Sequence, residues 1–361
     1  MHTIQRVLAF SVFGFVFAFS LPAAAWDYPG HRVVGAIADL VLKQHHPKAY
    51  AAIGNLLATT GPDGVVVTRS LSQAAVFADC AKPGNEPFCG RPSSEEEKAY
   101  ALRNKHHRDF HFTDVPLQQS QYRFGGAGTG KIDVVHMINY AVAQLRAKTP
   151  AEKPQKIDDV DLTDSEAVWL LAHLVGDIHQ PLHVGAKFYD TTCETSVDPN
   201  DNGPNNNFGI GTSVAETVGG NFILLDAPAP IVPPNQNFHY YWDGNTVLNA
   251  MRSAGLAHSE QDFAKLLATA PPSTATWKTA GGVDGWAQQW ATEVMPLAVE
   301  AHGRLQIKKG QRPPPFPGHG NCTWTATIDP AYEDWASQRA REQLAKAGFR
   351  LAALLAAIFE P

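Results

Sequence analysis

The sequence predicts an all-α fold class, a mostly helical single domain with long loops and at most a small β-hairpin. Three observations carry this. Apolar residues recur at three- and four-residue spacing through five long stretches. Runs of alternating polarity are scarce, with "VVVT" and "NFILL" as the short strand candidates. No linker-like segment divides the chain, and 361 residues with 44% hydrophobic content suffice for one large core.

In chain order, residues 1–25 come first. Arg6 precedes a long apolar run that closes on "AAA", the pattern of a secretory signal peptide cut after Ala25. The run is short for a full membrane span, and no later stretch is long and apolar enough to cross a bilayer. A secreted or periplasmic protein without stable membrane association is expected. Cleavage removes Arg6 and no acid, so the mature chain is more acidic than the formal −6 of the full sequence. Such a chain lacks the basic surface of a nonspecific duplex binder.

Next, "HRVVGAIADLVLKQHHPKAYAAIGNLLA" reads as helix broken at Pro47. "DVVHMINYAVAQLRA" is a second helical stretch. "TDSEAVWLLAHLVGDIHQ" opens on a capping box, Thr163 as cap and Glu166 three residues on. "GVDGWAQQWATEVMPLAVEAH" and "DPAYEDWASQRAREQLAKAGFRLAALLAAIFEP" are the late helices. Residues 186–218 are rich in Asn, Asp, Gly and Thr and read as a loop insertion. Asp198, Asn200, Asp201 and Asn202 within it lack the spacing of a calcium loop. The four cysteines of an exported chain suggest two disulfides. Of three connectivities, Cys80–Cys89 is the economical local pair, with Cys193–Cys322 to follow. No C-x-x-C spacing points to thiolate metal binding.

The chemistry concentrates in "AHLVGDIHQPLHVG". His173 and Asp177, four apart, share a helix face. His179 falls on another face. Pro181 disfavours helix at Gln180, so His183 lies beyond the helix and can fold back. "NFHYYWDG" repeats the spacing with His239 and Asp243. Imidazole and carboxylate are a zinc donor set. "FADCAK" adds Asp79 and Lys82, and "RDFHFTDVP" adds His111, Phe112 and Asp114. His45, His46, His106, His107 and His136 read as ordinary surface or core residues. After cleavage the chain begins "WDYPGH". The Trp26 amine, with a reference pKa of about 7.7–8.0, and its carbonyl can chelate one ion. His31 follows a Pro-Gly turn that can return it to the same ion.

Taken in order, Trp26–His31, Asp79, His111, the "HLVGDIHQPLHVG" block, Gly219–Gly220–Asn221 and "FHYYWD" resemble the zinc-dependent single-strand nuclease and 3′-nucleotidase family. This is the P-one/S-one nuclease type, within the phospholipase C/nuclease superfamily. The C-terminal "AGFRLAALL" also fits, so the resemblance covers nearly the whole of residues 26–361. It implies one catalytic domain holding three zinc ions. One zinc would take Asp79, His111, His173 and Asp177. Its neighbour would take the Trp26 amine and carbonyl, His31 and the bridging Asp177. The third would take His183, His239 and Asp243. His179 would be structural. Asp27 stands where the family usually has Gly, and Phe77 where a Trp is common; neither change removes a ligand.

The zinc ions would activate water and polarise phosphoryl oxygens, Asp79 would orient the nucleophile, and Lys82 would stabilise charge on phosphorus. Phe112 would stack on an unpaired base, and Asp114, Gly220 and Asn221 would line its edge. A paired base cannot enter without unstacking. The expected activity is therefore endonucleolytic hydrolysis of single-stranded DNA and RNA to 5′-phosphorylated products, with 3′-nucleotides also accepted, by a monomer. The alternatives are a zinc-dependent phospholipase C on the same scaffold and a secreted zinc-binding protein without turnover.

Overall fold

The computed structural model describes residues 26–60, 66–202, 214–226, 236–273, 277–308, 310–311 and 322–360. The expected leader, residues 1–25, lies outside the described residues. Helix α1 (Tyr28–His45) starts where Asp27 accepts from the Tyr28 N–H at 2.8 Å, and ends one residue before Pro47 opens α2 (Pro47–Leu57). Four short helices follow: α3 (Leu71–Ala74), α4 (Phe77–Cys80), α5 (Glu86–Cys89) and α6 (Glu95–Arg103). The long central pair is α7 (Val134–Arg146) and α8 (Asp164–Asp177). Beyond them come α9 (Phe238–Tyr240), α10 (Thr246–Ser253), α11 (Glu260–Thr269), α12 (Trp286–Gly303) and α13 (Pro330–Phe359).

Helix α1 packs against α13, α11, α3 and α8. Its approach to α13 is close because residue 348 is glycine: a Cβ there would stand 2.5 Å from the Ile37 Cβ. Helix α8 is capped as the sequence predicts, with both arms of the Thr163–Glu166 box formed at 2.8 and 3.2 Å. From Glu166 to its end α8 is buried on every side, which makes it a core helix rather than an amphipathic one. Each large apolar side chain so buried contributes about 1.5–3 kcal/mol. The polar residues on the same helix go into the core with them and require partners there.

The β content exceeds the single hairpin expected. Among the described residues nine strands of two to four residues form four small sheets. Strands β1 (Ala58–Thr60) and β2 (Val66–Thr68) are antiparallel, and β3 (Val115–Pro116) runs parallel to β4 (Gly185–Ala186). Strand β5 (Phe188–Asp190) pairs antiparallel with β6 (Val214–Glu216). Strand β7 (Ile223–Leu225) lies parallel to β9 (Trp324–Thr327), which also pairs with β8 (Gln306–Ile307). "VVVT" and "NFILL" contain β2 and β7. The other strands are too short to leave an alternating run in the sequence, and β3, β4, β5, β6, β8 and β9 pair with segments farther away along the chain.

Strands β5 and β6 lie within the 186–218 insertion, so its described part is more ordered than its composition suggests. Residues 203–213 lie outside the described residues. Both expected disulfides are present, Cys80–Cys89 and Cys193–Cys322. The second ties the insertion to β9, where Trp324 also stacks on Tyr189 and donates to the Cys193 carbonyl at 3.0 Å. Asp198 and Asn200 bond each other and the neighbouring Gln119 and Ala127. No helix of the described residues is long and apolar enough to cross a membrane.

His302 in α12 is buried, with Nδ1–H donating to the Ala298 carbonyl at 2.9 Å. Burial lowers its pKa to about 4. The unfolded chain takes up this proton near pH 6.5. The stabilising contribution is therefore whole above about 6.5 and is lost as pH falls toward 4, by about 3 kcal/mol. His302→Gln should flatten the fall of the urea midpoint between those pH values. Equal slopes for variant and parent would show that the fold does not exclude the proton.

Candidate metal centre

Helix α8 delivers His173 and Asp177 on one face, as their spacing requires, and three other elements converge on them. His31 comes from the first turn of α1, Asp79 from α4, and His111 from the 3-10 turn His107–His111. All five residues are at most 5% exposed. The two oxygens of Asp177 face different ways. Oδ1 lies 3.2 Å from His31 Nε2; Oδ2 lies 3.0 Å from His111 Nδ1 and 3.2 Å from His173 Nε2. Asp79 Oδ1 stands 3.8 Å from His111 Nδ1 and 3.7 Å from His173 Nε2. Ligand atoms of His31, His173 and Asp177 gather within 4.8 Å of one another, and so do those of Asp79, His111 and His173.

A third group lies next to these two. His183 stands in the 3-10 turn Pro181–His183 after α8; His239 is in α9, and Asp243 is in the π-helical turn Tyr241–Asn245. Their ligand atoms also fall within 4.8 Å. His183 and His239 bring Nε2 to Nε2 at 2.9 Å, with Asp243 oxygens 3.7 and 3.4 Å away. Such π turns recur at functional sites, where they re-aim side chains.

The tautomers follow from the hydrogen bonds. His183 Nδ1 faces the His111 carbonyl at 2.8 Å, and His239 Nδ1 faces the Gly219 carbonyl at 2.8 Å. A carbonyl oxygen only accepts, so both Nδ1 atoms carry the proton. In the neutral rings both Nε2 atoms then present lone pairs to each other and to a carboxylate. That arrangement is repulsive unless a cation lies between them. His173 repeats it, with Nδ1 donating to the Ala75 carbonyl at 2.6 Å. An imidazole whose far N–H is held by a carbonyl is the usual support of a metal-ligating histidine.

The electrostatics agree. Burial raises the Asp243 carboxyl to about 8 and lowers His239 to about 4. Burial likewise lowers His111, to about 3, with Lys82 adding to it. At Asp177 and Asp79 burial opposes ionisation, but His173 at the first and the Lys82 ammonium at the second overcome it and hold both carboxyls below the usual range. At His173 burial opposes protonation, yet Asp177 and Asp79 outweigh it and raise the pKa. Asp79 and Asp177 are thus held ionised among the imidazoles, and the donor set of the three groups fits divalent cations.

The remaining expected site residues fall around these groups. Lys82 is buried, its ammonium 2.7 Å from Asp79 Oδ1. Trp26 is fully buried and donates its indole N–H to the Gly176 carbonyl at 2.8 Å, beside Asp177. Phe112 is half-buried in extended backbone leading to the buried Asp114. Asn221 spends its amide on the Val218 carbonyl of its own turn. Gly219 rather than Gly220 makes the contacts: its carbonyl takes the His239 proton and its N–H reaches Asp114. A Cβ at Gly219, where φ is +53°, would lie 2.2 Å from the Leu182 carbonyl oxygen.

His179 is kept apart. It is buried with Nδ1 on the Val175 carbonyl, and Nε2 accepts from Arg350, which also pairs with Glu293. Asp27 caps α1 while its N–H holds the Asp243 carbonyl at 2.9 Å. Phe77 packs on Trp169 and Tyr100.

Three contributors left no local signal in the sequence. Gln180 donates from Nε2 to Asp243 Oδ1 at 2.6 Å and accepts from the Leu182 N–H at 2.5 Å. Asn85 donates to the Asp79 carbonyl at 3.1 Å. Glu216 hydrogen-bonds Asp114; burial raises both carboxyls, Asp114 to about 6, so Glu216 keeps the proton and donates it. A glutamine before a proline did mark a turn, but not its partner.

The sequence model of the S1/P1 nuclease family matches residues 26–360. The chain belongs to the S1/P1 nuclease family. No curated protein matches it. Membership makes this S1/P1 nuclease a hydrolase of phosphodiester bonds whose substrates are nucleic acids.

Gln180 offers a direct check on the third group. Gln180→Leu removes the donor that holds Asp243 and should weaken divalent-cation binding about 10–100-fold at His183, His239 and Asp243. Competition titration of zinc against a chelating dye reads this. Unchanged affinity would make Gln180 a turn residue only.

Proposed function

We propose that the protein is a secreted, zinc-dependent endonuclease that hydrolyses single-stranded DNA and RNA to 5′-phosphorylated products and also acts on 3′-nucleotides. The observation that carries this reading is the opposed pair of imidazole lone pairs, His183 Nε2 against His239 Nε2 at 2.9 Å beside Asp243. It occurs next to a second His/Asp centre and a half-open aromatic at Phe112.

Asp79, His111, His173 and Asp177 would hold one zinc; Trp26, His31 and Asp177 its neighbour; His183, His239 and Asp243 the third. The divided aim of the Asp177 oxygens suits a bridging ligand. When bound, the ions supply Lewis-acid polarisation of the phosphoryl group and acidification of water. The chain's own residues do the rest. Asp79 orients the attacking water, and Lys82, held at 2.7 Å by Asp79, presents a desolvated ammonium to the charge that grows on the phosphoryl oxygens. Phe112 stacks on the base, with about 1–3 kcal/mol gained per stacked base. Asp114, supported by Glu216 and the Gly219 N–H, accepts from the base edge. Gly220 and Asn221 shape the adjoining turn. A duplex must first extrude a base to use this pocket, which favours single strands. A phospholipase C would have no use for Phe112 and Asp114.

Asp177→Asn tests the centre. Zinc content should fall, and hydrolysis of single-stranded DNA, RNA and 3′-AMP should drop to background together. Full zinc with full activity would falsify the assignment. Assaying the parent on phosphatidylcholine alongside separates nuclease from lipase.

Leader removal is the second test. In the precursor the Trp26 nitrogen is an amide and cannot serve as a neutral amine ligand. Protein beginning at Trp26 should bind one more zinc, and turn over faster, than protein carrying one extra Gly before it. Equal zinc and equal rates would remove the N-terminus from the ligand set.

A further inference from the structure

Phe124 is the most exposed aromatic side chain among the described residues, with 49% of its surface open. A single exposed apolar side chain is ordinary on a protein surface, and an exposed ring is usually without fixed neighbours. This one is braced. Its ring stands perpendicular to Tyr122, with centroids 5.3 Å apart, and nearly so to His136 at 4.9 Å. Both neighbours are fixed by Asp133, the cap of α7. Tyr122 donates its hydroxyl to Asp133 Oδ2 at 2.9 Å, and the His136 N–H and Nδ1 lie 3.0 and 2.9 Å from Oδ1.

The same end of α7 carries the expected base pocket. The Val134 N–H, next to Asp133, donates to the Phe112 carbonyl at 3.2 Å. The loop that bears Phe124 returns to this strand as well. The Gly128 carbonyl accepts from the Asp114 N–H at 2.8 Å and from the Thr113 hydroxyl at 3.2 Å. Phe112 and Phe124 are therefore braced by one set of hydrogen bonds, the first half-buried beside the metal groups and the second open outside it. Charge follows the same course. Residues 121–131, "QYRFGGAGTGK", hold two cations and no acid in a chain of net charge −6. Arg123 and Lys131 are both exposed.

We propose that Phe124, with Arg123 beside it, is a second stacking site for a single strand, taking a base next to the nucleotide that occupies Phe112 and Asp114. The proposal rests on the nuclease reading above. Stacking accepts every base because each has a π-face, and the arginine tracks the backbone phosphate. The site adds binding to oligonucleotides and nothing to mononucleotides.

Steady-state kinetics on a short oligodeoxynucleotide and on 3′-AMP test it with Phe124→Ala, Phe124→Trp and Arg123→Gln. For Phe124→Ala, KM on the oligonucleotide should rise about tenfold with kcat held, while both constants on 3′-AMP stay put. Phe124→Trp should restore the parental KM, which a merely structural phenylalanine would not require. Arg123→Gln should raise the same KM and flatten its salt dependence. An unchanged oligonucleotide KM in Phe124→Ala overturns the second site while leaving the nuclease reading intact. Equal losses on both substrates overturn it too, since that is damage to the first pocket. A parent that cleaves neither substrate overturns the nuclease reading, and this inference with it.

Discussion

The carboxylate of Asp177 is the constraint around which the rest is arranged. It is fully buried and ionised, and an ionised carboxylate in the core is stable only where opposite charge and hydrogen bonds surround it. Its two oxygens serve opposite sides, His31 on one and His111 with His173 on the other. That geometry requires α1, α8 and the 107–111 turn to meet at one point. The approach of α1 to α8 follows from it, while Gly348 permits the separate close approach of α13 to α1 at Ile37.

Around that point the backbone carries much of the work. Carbonyls of Ala75, His111 and Gly219 fix the tautomers of His173, His183 and His239. Each carbonyl belongs to an irregular segment rather than to a long helix. This explains why short turns and two-residue strands accompany the His/Asp groups in a helical molecule. The pairing of β3 with β4 holds Val115 against Gly185, and the adjoining Thr113 N–H bonds the His183 carbonyl at 2.9 Å, so the segment that follows Phe112 is locked to the third His/Asp group. A shift of either strand would move both.

Departures from the family pattern are accommodated by local physics. Asp27 stands where the resemblance leads one to expect a glycine, yet it caps α1 and its N–H holds the residue 243 carbonyl. The 186–218 insertion is anchored by Cys193–Cys322 and the Trp324–Tyr189 stack. His179, which falls on a different helix face from His173 and Asp177, is spent on Arg350 inside the core.

The sequence by itself determined what local periodicity and spacing can encode. Pro47 divided α1 from α2, Thr163 and Glu166 started α8, and the four-residue spacing placed His173 with Asp177. Composition and spacing also indicated both disulfides. The family's residues, recognised in order, named the candidates at Asp79, His111 and His183. Only the tertiary structure decided what depends on contacts between distant segments: the split aim of Asp177, the π turn that carries Asp243, the hold of Gln180 on that carboxylate, and the proton shared by Asp114 and Glu216. The two sheets that hold neither "VVVT" nor "NFILL", β3 with β4 and β5 with β6, escaped the sequence for the same reason. A two-residue strand has no period, and a hydrogen bond between residues 63 or 102 positions apart leaves no trace in either neighbourhood.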